Sequence, residues 1–241
     1  MQQRFVRRAL NFARKLRAGL TPFGENVSPE IPNDLFIAHL SIYAFATKRA
    51  REARVLDIGS GAGYGSEFLR SAGASEVIGL DLDRRNVRYA RRHYPRVQFR
   101  EADAEHLPRD LGAFDLILAS NVLEHLRDVN PALDAIRAMA RGDVIIAVPP
   151  IVDEASLRAN EAIPFHRSNL MVTRWIELLA QRFDDVRAFQ HFWREGVEPD
   201  FSDPFPSRLK PEDFLFEEVA PEELISKPTL TALFVARAMS G

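Results

Sequence analysis

In this 241-residue sequence, glycine, aspartate and asparagine stand where short apolar runs end, and that placement carries the first chemical signal. The run Val55-Leu56-Asp57-Ile58 leads into Gly59-Ser60-Gly61-Ala62-Gly63-Tyr64-Gly65. A glycine-rich turn between a strand and a helix lets backbone N–H groups approach a ligand closely. Tyr64 occupies the place of the third glycine of GxGxxG, so the dinucleotide fingerprint is not met. Asp57 adds a carboxylate beside the turn, which repels a pyrophosphate and attracts an ammonium group. A cationic amino-acid ligand fits that turn better than a dinucleotide. The next run ends in Gly79-Leu80-Asp81-Leu82-Asp83, where the two oxygens of Asp81 can accept both hydroxyls of a ribose. Such charge-assisted bonds contribute about 1.5–3 kcal/mol each. Asp103 follows the third run, placed for the exocyclic amine of an adenine, and Asn121 follows the fourth. Four polar groups at four consecutive strand ends mark the ligand crest of an open α/β sheet.

The elements that must position these residues follow from hydrophobic pattern. Five short runs, Arg54–Ile58, Glu76–Asp81, Val97–Arg100, Phe114–Leu118 and Asp143–Val148, are β-branched or aromatic and too short for helices. Amphipathic stretches at Tyr64–Ser71, Arg84–His93 and Pro131–Arg141 fill the gaps as helices, the last with Asn130 as its cap. Alternating units of this kind build a parallel sheet with helices on both faces. A helix at Thr173–Gln181 and two further strands, Val186–Phe192 and Leu230–Ala236, bring the expected sheet to seven strands. Ahead of it lie a basic amphipathic helix, with Phe5, Ala9, Phe12, Leu16 and Leu20 on its apolar side, and a second helix at Asn33–Arg51. The first of these fits docking on the domain, on a partner chain or on a membrane surface. The division expected is residues 1–51 for these helices and 52–241 for the domain, with an insert at about 193–228 before the last strand.

The segment from Val55 to Pro150 resembles the class I S-adenosylmethionine-dependent methyltransferases. The family's first motif is read in Asp57-Ile58-Gly59-Ser60-Gly61, its ribose acid in Asp81 followed by Leu82, and its adenine-side acid in Asp103-Ala104. Its fourth-strand segment is read in Phe114-Asp115-Leu116-Ile117-Leu118-Ala119-Ser120-Asn121-Val122-Leu123-Glu124-His125-Leu126. The resemblance implies a Rossmann-like, mostly parallel sheet with an antiparallel last strand and S-adenosylmethionine as cofactor. It implies that Asp57, Gly59, Ser60, Gly61, Asp81, Leu82, Asp103, Ala104 and Asn121 hold that cofactor. The flanks His39–Ala46, Gly63-Tyr64-Gly65-Ser66, Pro164-Phe165-His166 and Phe189-Gln190 are similar to methyltransferases of bacterial polysaccharide and O-antigen gene sets.

Methyl transfer is an in-line displacement at a sulfonium, so the protein's main task is to align the acceptor within about 3–3.5 Å. A sugar hydroxyl as acceptor needs a base, worth typically about 10²–10⁴-fold in rate. His125, after the fourth strand, and His166, in the loop after the fifth, are the candidates; anchoring a short helix and packing a loop are their structural alternatives. His39, His93, His106 and His191 are scattered, no pair has metal-ligand spacing, and no metal is expected. The insert carries Phe192, Trp193, Phe201, Phe205, Phe214 and Phe216 among prolines and acids, and could cover an acceptor or form a surface contact.

Composition narrows the rest. The 32 basic and 34 acidic residues give a net charge of -2, which argues against bulk nucleic-acid binding. Without cysteine there is no disulfide, thiolate zinc site or cysteine nucleophile. No stretch approaches the roughly 18 consecutive apolar residues of a spanning helix, and the N-terminus lacks a signal peptide's apolar core, so a cytoplasmic protein is expected. Methylation of another small molecule, such as a quinone or amino compound, and a non-catalytic cofactor-binding subunit stay open as alternatives.

Overall fold

The computed structural model describes residue 27 and residues 29–203 and 205–237. The basic amphipathic helix expected before residue 27 lies outside the described residues, as does any docking through it. The elements run α1 (Asp34–Ala50), β1 (Arg54–Ile58), α2 (Tyr64–Ser71), β2 (Glu76–Asp81), α3 (Arg84–His93), β3 (Gln98–Glu101), β4 (Phe114–Ser120), α4 (Asn130–Met139) and β5 (Ala140–Val148). They continue with α5 (Glu154–Glu161), α6 (Val172–Ala180), β6 (Asp185–Trp193), β7 (Phe214–Val219), α7 (Glu223–Ser226) and β8 (Ala232–Arg237).

One sheet of eight strands has the order β3-β2-β1-β4-β5-β8-β6-β7. The first five strands pair in parallel, and β8 enters antiparallel between β5 and β6. The strand order reverses between β1 and β4, where the two halves of an open α/β sheet part and leave a crevice at their carboxyl ends. The eighth strand is β7, inside the segment expected to be an insert; it pairs antiparallel with β6 at the sheet edge. Its sequence, Phe214-Leu215-Phe216-Glu217-Glu218-Val219, mixes acids into the apolar run because an edge strand faces water and repels further pairing with charge.

Side chains alternate across the sheet and bury on both faces. Leu56, Ile58, Leu80 and Ile117 pack with Leu133 and Ile136 of α4 and with Trp175 and Leu179 of α6. Val55, Val77, Leu116 and Leu118 pack on the other face with Ile42, Tyr43 and Ala46 of α1, Leu69 of α2 and Val87 of α3. Helix α1 therefore shares the core of the sheet it precedes. Asn33 caps it by accepting from the Phe36 N–H at 3.0 Å, and Arg49 near its end donates to Asp143 of β5 at 3.0 Å.

Two local expectations are corrected. Asn130 does not cap α4: Val129 stands at the cap, while the Asp128 carboxylate accepts from the Asn130 N–H at 2.9 Å. That helix stops at Met139 because β5 starts at Ala140 without a connecting loop. Helix α5 was not foreseen; a reciprocal cap between Asp153 and Ser156 sets its start.

Candidate active site

A cavity of about 1600 Å³ opens along the carboxyl ends of β1, β2 and β4 and continues under α1 and the loop after β5. Ligand sites for one small molecule usually fall near 300–1,000 Å³, so there is room for two ligands side by side. The cavity divides by what lines it.

The first half is built on the glycine-rich turn. Gly59 has φ +71°, and a Cβ there would stand 2.6 Å from Val122, so only glycine keeps the turn against the end of β4. The Gly61 N–H donates to Asp81 Oδ2 at 2.8 Å, while Asp81 Oδ1 accepts from the Asp83 N–H at 2.8 Å and from Asn86 Nδ2 at 3.1 Å. Burial raises the Asp81 pKa, and these donors work against that rise. The carboxylate is thus fixed at the end of β2, beside Leu82, which is 69% exposed. A large apolar side chain held out at the mouth of a cavity offers a surface for a flat base. Asp103 accepts from the Glu105 N–H at 2.9 Å and pairs with His106 Nδ1 at 3.3 Å, and both Asp103 and Ala104 line the same wall. Asn121 takes a left-handed backbone, φ 51°, and its N–H donates to Ala147 O at 2.8 Å, which turns the chain into the cavity at the end of β4. Ser60, Gly61, Asp81, Leu82, Asp103, Ala104 and Asn121 are therefore brought together along one wall.

Asp57 takes a different position. It shares the sheet face of Val55, so its side chain runs beneath α1 and α2 and is fully buried. Its oxygens accept from Tyr43 Oη at 3.2 Å and from Ser66 Oγ at 2.5 Å. The expectation of a carboxylate facing a ligand ammonium is thus replaced by one behind the wall, with Tyr43 lining the cavity in front of it. Burial pushes its pKa up to about 7, with the Ser66 and Tyr43 bonds pulling the other way. Gly65 makes room for this arrangement: a Cβ there would sit 2.1 Å from the Tyr43 ring.

The second half comes from distant segments. The turn Leu123–His125 after β4 and the loop carrying His166 are stitched together: the Arg167 and Ser168 N–H groups donate to Glu124 O at 2.8 and 2.9 Å, and Ser168 Oγ donates to Leu126 O at 2.7 Å. The rings of His125 and His166 meet edge to face with centroids 5.1 Å apart. His39 of α1, His191 of β6 and Phe201 of the insert line the same cavity. The insert binds the start of α1, with the Asp200 N–H donating to Asp34 at 2.8 Å, the Ser207 N–H to Pro32 O at 2.7 Å, and Asn33 to Asp203 O at 3.2 Å.

Sequence reasoning missed His191. It is 1% exposed, with Nε2 3.0 Å from Ser41 Oγ, and the Ser41 hydroxyl proton is engaged by Ala38 O at 2.6 Å. Nε2 must then carry the hydrogen, leaving Nδ1 as a lone pair with no hydrogen-bond partner among the described residues. Burial, with His39 nearby, lowers its pKa to about 3 and keeps the ring neutral. The signal lay in strand alternation: on β6, His191 falls between Gln190 and Phe192, and its ring stacks on Phe216 at 4.4 Å, but only strand β7 supplies that neighbour.

Residues 56–148 match the family described as a methyltransferase domain. The chain is 30% identical over 168 residues to a probable S-adenosylmethionine-dependent methyltransferase of Mycolicibacterium smegmatis, covering 68% of this chain and 65% of that protein. It is 34% identical over 93 residues to a ubiquinone biosynthesis O-methyltransferase of Bordetella avium, covering 36% and 38% of the two chains. This chain thus spans less than two thirds of the length of either relative. Among solved structures, a SAM-dependent methyltransferase of Archaeoglobus fulgidus superposes with a TM-score of 0.60 at 20% identity, over 84% of this chain and 92% of that one. A TehB-like SAM-dependent methyltransferase of Corynebacterium glutamicum does so at 0.54 and 18% identity, over 95% and 97%.

Proposed function

We propose that this chain is an S-adenosylmethionine-dependent methyltransferase acting on a hydroxyl of a small acceptor, a sugar or glycan-linked metabolite before others. The observation that carries the reading is the first half of the cavity, where Asp81, anchored by three donors, stands between an exposed Leu82 and the Gly59–Gly61 turn. These residues suit the cofactor group by group. Asp81 accepts the ribose hydroxyls, Leu82 covers a face of the adenine, and Asp103 with Ala104 receives its amine edge. Gly59, Ser60 and Gly61 bring backbone beside the amino-acid part, with Asn121 at the end of β4. Asp57 acts from behind, holding Tyr43 and Ser66 in place. When bound, the cofactor supplies an activated methyl group on a sulfonium, and the protein's remaining work is alignment and exclusion of water.

The acceptor lies in the second half. Polar groups at His39, His125, Asn160 and His166 alternate there with the Phe165 and Phe201 rings, which suits an acceptor with hydroxyl edges and C–H faces. With only protein groups at the site, an imidazole of the His125–His166 pair takes the hydroxyl proton. The second reading, a phenolic hydroxyl of a quinone-type metabolite, draws support from the relatives named as ubiquinone biosynthesis O-methyltransferases. No helix among the described residues is long and apolar enough to cross a membrane, and the proposed setting is the cytoplasm, with no nucleic-acid partner.

Calorimetric titration with S-adenosylmethionine and its demethylated product, with NAD as control, tests the cofactor site. Micromolar binding of the first two, no binding of NAD, and a loss of about 10²-fold or more in Asp81→Ala are expected. A folded protein that binds neither thioether ligand would overturn the reading. Labelled-methyl transfer to sugar nucleotides, oligosaccharides and catechols then separates the two acceptor classes. Cofactor binding without transfer to any of them would favour the non-catalytic subunit.

A further inference from the structure

The cluster at the acceptor end has more organisation than a pair of bases requires. His125 Nδ1 lies 3.2 Å from the backbone oxygen of Phe165, and a carbonyl can only accept, so Nδ1 carries the hydrogen. His166 Nδ1 lies 2.7 Å from Asn160 Oδ1. The orientation of that amide is fixed in turn, because Asn160 Nδ2 donates to Asn169 Oδ1 at 2.5 Å and Asn169 Nδ2 donates to His166 O at 3.3 Å. Asn160 is 6% exposed, so this support is built into the protein rather than offered by solvent. Both rings are therefore held as Nδ1–H tautomers, and each neutral ring presents its basic lone pair on Nε2. The side chain of Glu124, 2% exposed, completes the group: ligand atoms of Glu124, His125 and His166 all lie within 4.8 Å of one another.

Two imidazoles whose second nitrogens are tied to protein oxygens, converging with one carboxylate, form the donor set of a divalent first-row transition metal with open coordination positions. Donors around such an ion stand about 2.8–3.6 Å apart, octahedral to tetrahedral, as follows from bonds of about 2.0–2.2 Å, so modest side-chain rotation closes the group. We infer that Glu124, His125 and His166 bind a divalent transition-metal ion at the acceptor end of the cavity, with its open positions turned to the acceptor oxygen. This rests on the reading of the cavity's second half as an acceptor site for a hydroxyl. The ion would lower the pKa of a coordinated hydroxyl, whose proton then leaves to solvent water. The two histidines serve as ligands in that case, replacing the base assigned to the protein-only site. Sequence spacing gave no sign of this, because Glu124 and His125 are adjacent while His166 lies on a different loop, and the bonds of Arg167 and Ser168 to Glu124 O, of Ser168 to Leu126 O and of His125 to Phe165 O bring them together.

A second group, Asp103, Glu105 and His106, also brings ligand atoms within 4.8 Å and serves as the internal control. Chelator-treated, tag-free protein would be titrated with Co²⁺ while its visible d–d absorption is recorded, for the wild type and for His125→Ala, His166→Ala, Glu124→Gln and His106→Ala. A saturable band at one ion per chain, lost in His125→Ala and His166→Ala and kept in His106→Ala, is the expected result. No stoichiometric band in wild type, a band that survives both histidine variants, or one lost in His106→Ala overturns the site. Cofactor affinity measured on the same samples keeps the readings apart. Variants that retain it are folded and their lost band counts. Wild type that takes Co²⁺ but no cofactor sinks the methyltransferase reading while leaving the ion site standing.

Discussion

The two halves of the cavity are built in opposite ways. The cofactor half comes from consecutive βα units, each contributing a residue at or just past a strand end: Ser60 and Gly61, Asp81 and Leu82, Asp103, and Asn121. The acceptor half collects His39 from α1, His125 from the turn after β4, His166 from the loop after β5, His191 from β6 and Phe201 from the insert. In the first, neighbours in space are neighbours in strand order, so a parallel sheet delivers the site as soon as it forms. In the second, each wall depends on segments far apart in the chain being bonded together, as the insert is to the start of α1. On the proposed reading, cofactor recognition is tied to the fold itself, whereas acceptor choice can change through loops without disturbing it.

Asp57 joins the halves, since it bonds Tyr43 of α1 and Ser66 of α2 from within β1, and it should give the largest effect. Burial pushes its pKa up to about 7 in the fold, from about 3.8 in the unfolded chain. Between those values the folded state holds a proton that the unfolded chain has lost, so stability falls as pH rises through that window. A shift of this size corresponds to about 4 kcal/mol. Urea unfolding from pH 4 to 8 should show Asp57→Asn gaining on wild type by a few kcal/mol across the window. Parallel profiles for the two proteins would mean that Asp57 is already ionised in the fold at pH 4.

Gly59→Ala comes next, because a Cβ at φ +71° would press on Val122 at 2.6 Å. Cofactor affinity should fall by about 10²-fold, the equivalent of about 2.7 kcal/mol. An unchanged Kd would show that the turn yields freely and that the cofactor half is less rigid than its geometry indicates. On the acceptor side, His191→Phe keeps the apolar stack on Phe216 and removes the buried Nε2 bond to Ser41 of α1. Losing the buried bond to Ser41 loosens α1 against β6, so acceptor KM should rise about 5–10-fold, with cofactor Kd within about twofold of wild type as a mutation in the other half requires. A matching loss of cofactor affinity would erase the distinction between the halves. Leu82→Ala should give the smallest change, about threefold weaker cofactor binding, because one exposed aliphatic face covers only part of a base. Equal weakening of acceptor KM would place Leu82 at the wrong ligand.

Strand ends and their polar residues were legible because period-2 apolar runs, glycine-rich turns and acids at fixed offsets are local signals. Helices α2 and α3 and strands β1 and β2 fall where the pattern puts them. Strand β7 was hidden by the acids that an exposed edge requires, and α5 by a cap formed between Asp153 and Ser156 in a polar loop. What the sequence by itself determined is the crest of Asp81, Asp103 and Asn121, since β-strand periodicity and a parallel order suffice to align them. Only the tertiary structure decided that Asp57 lies behind the wall, that His191 is buried against Phe216 and bonded to Ser41, and that Glu124, His125 and His166 converge. Each of those depends on which distant segment packs against the residue, and that choice is made by the burial of α1, the insert and the loop after β5 rather than by any spacing along the chain.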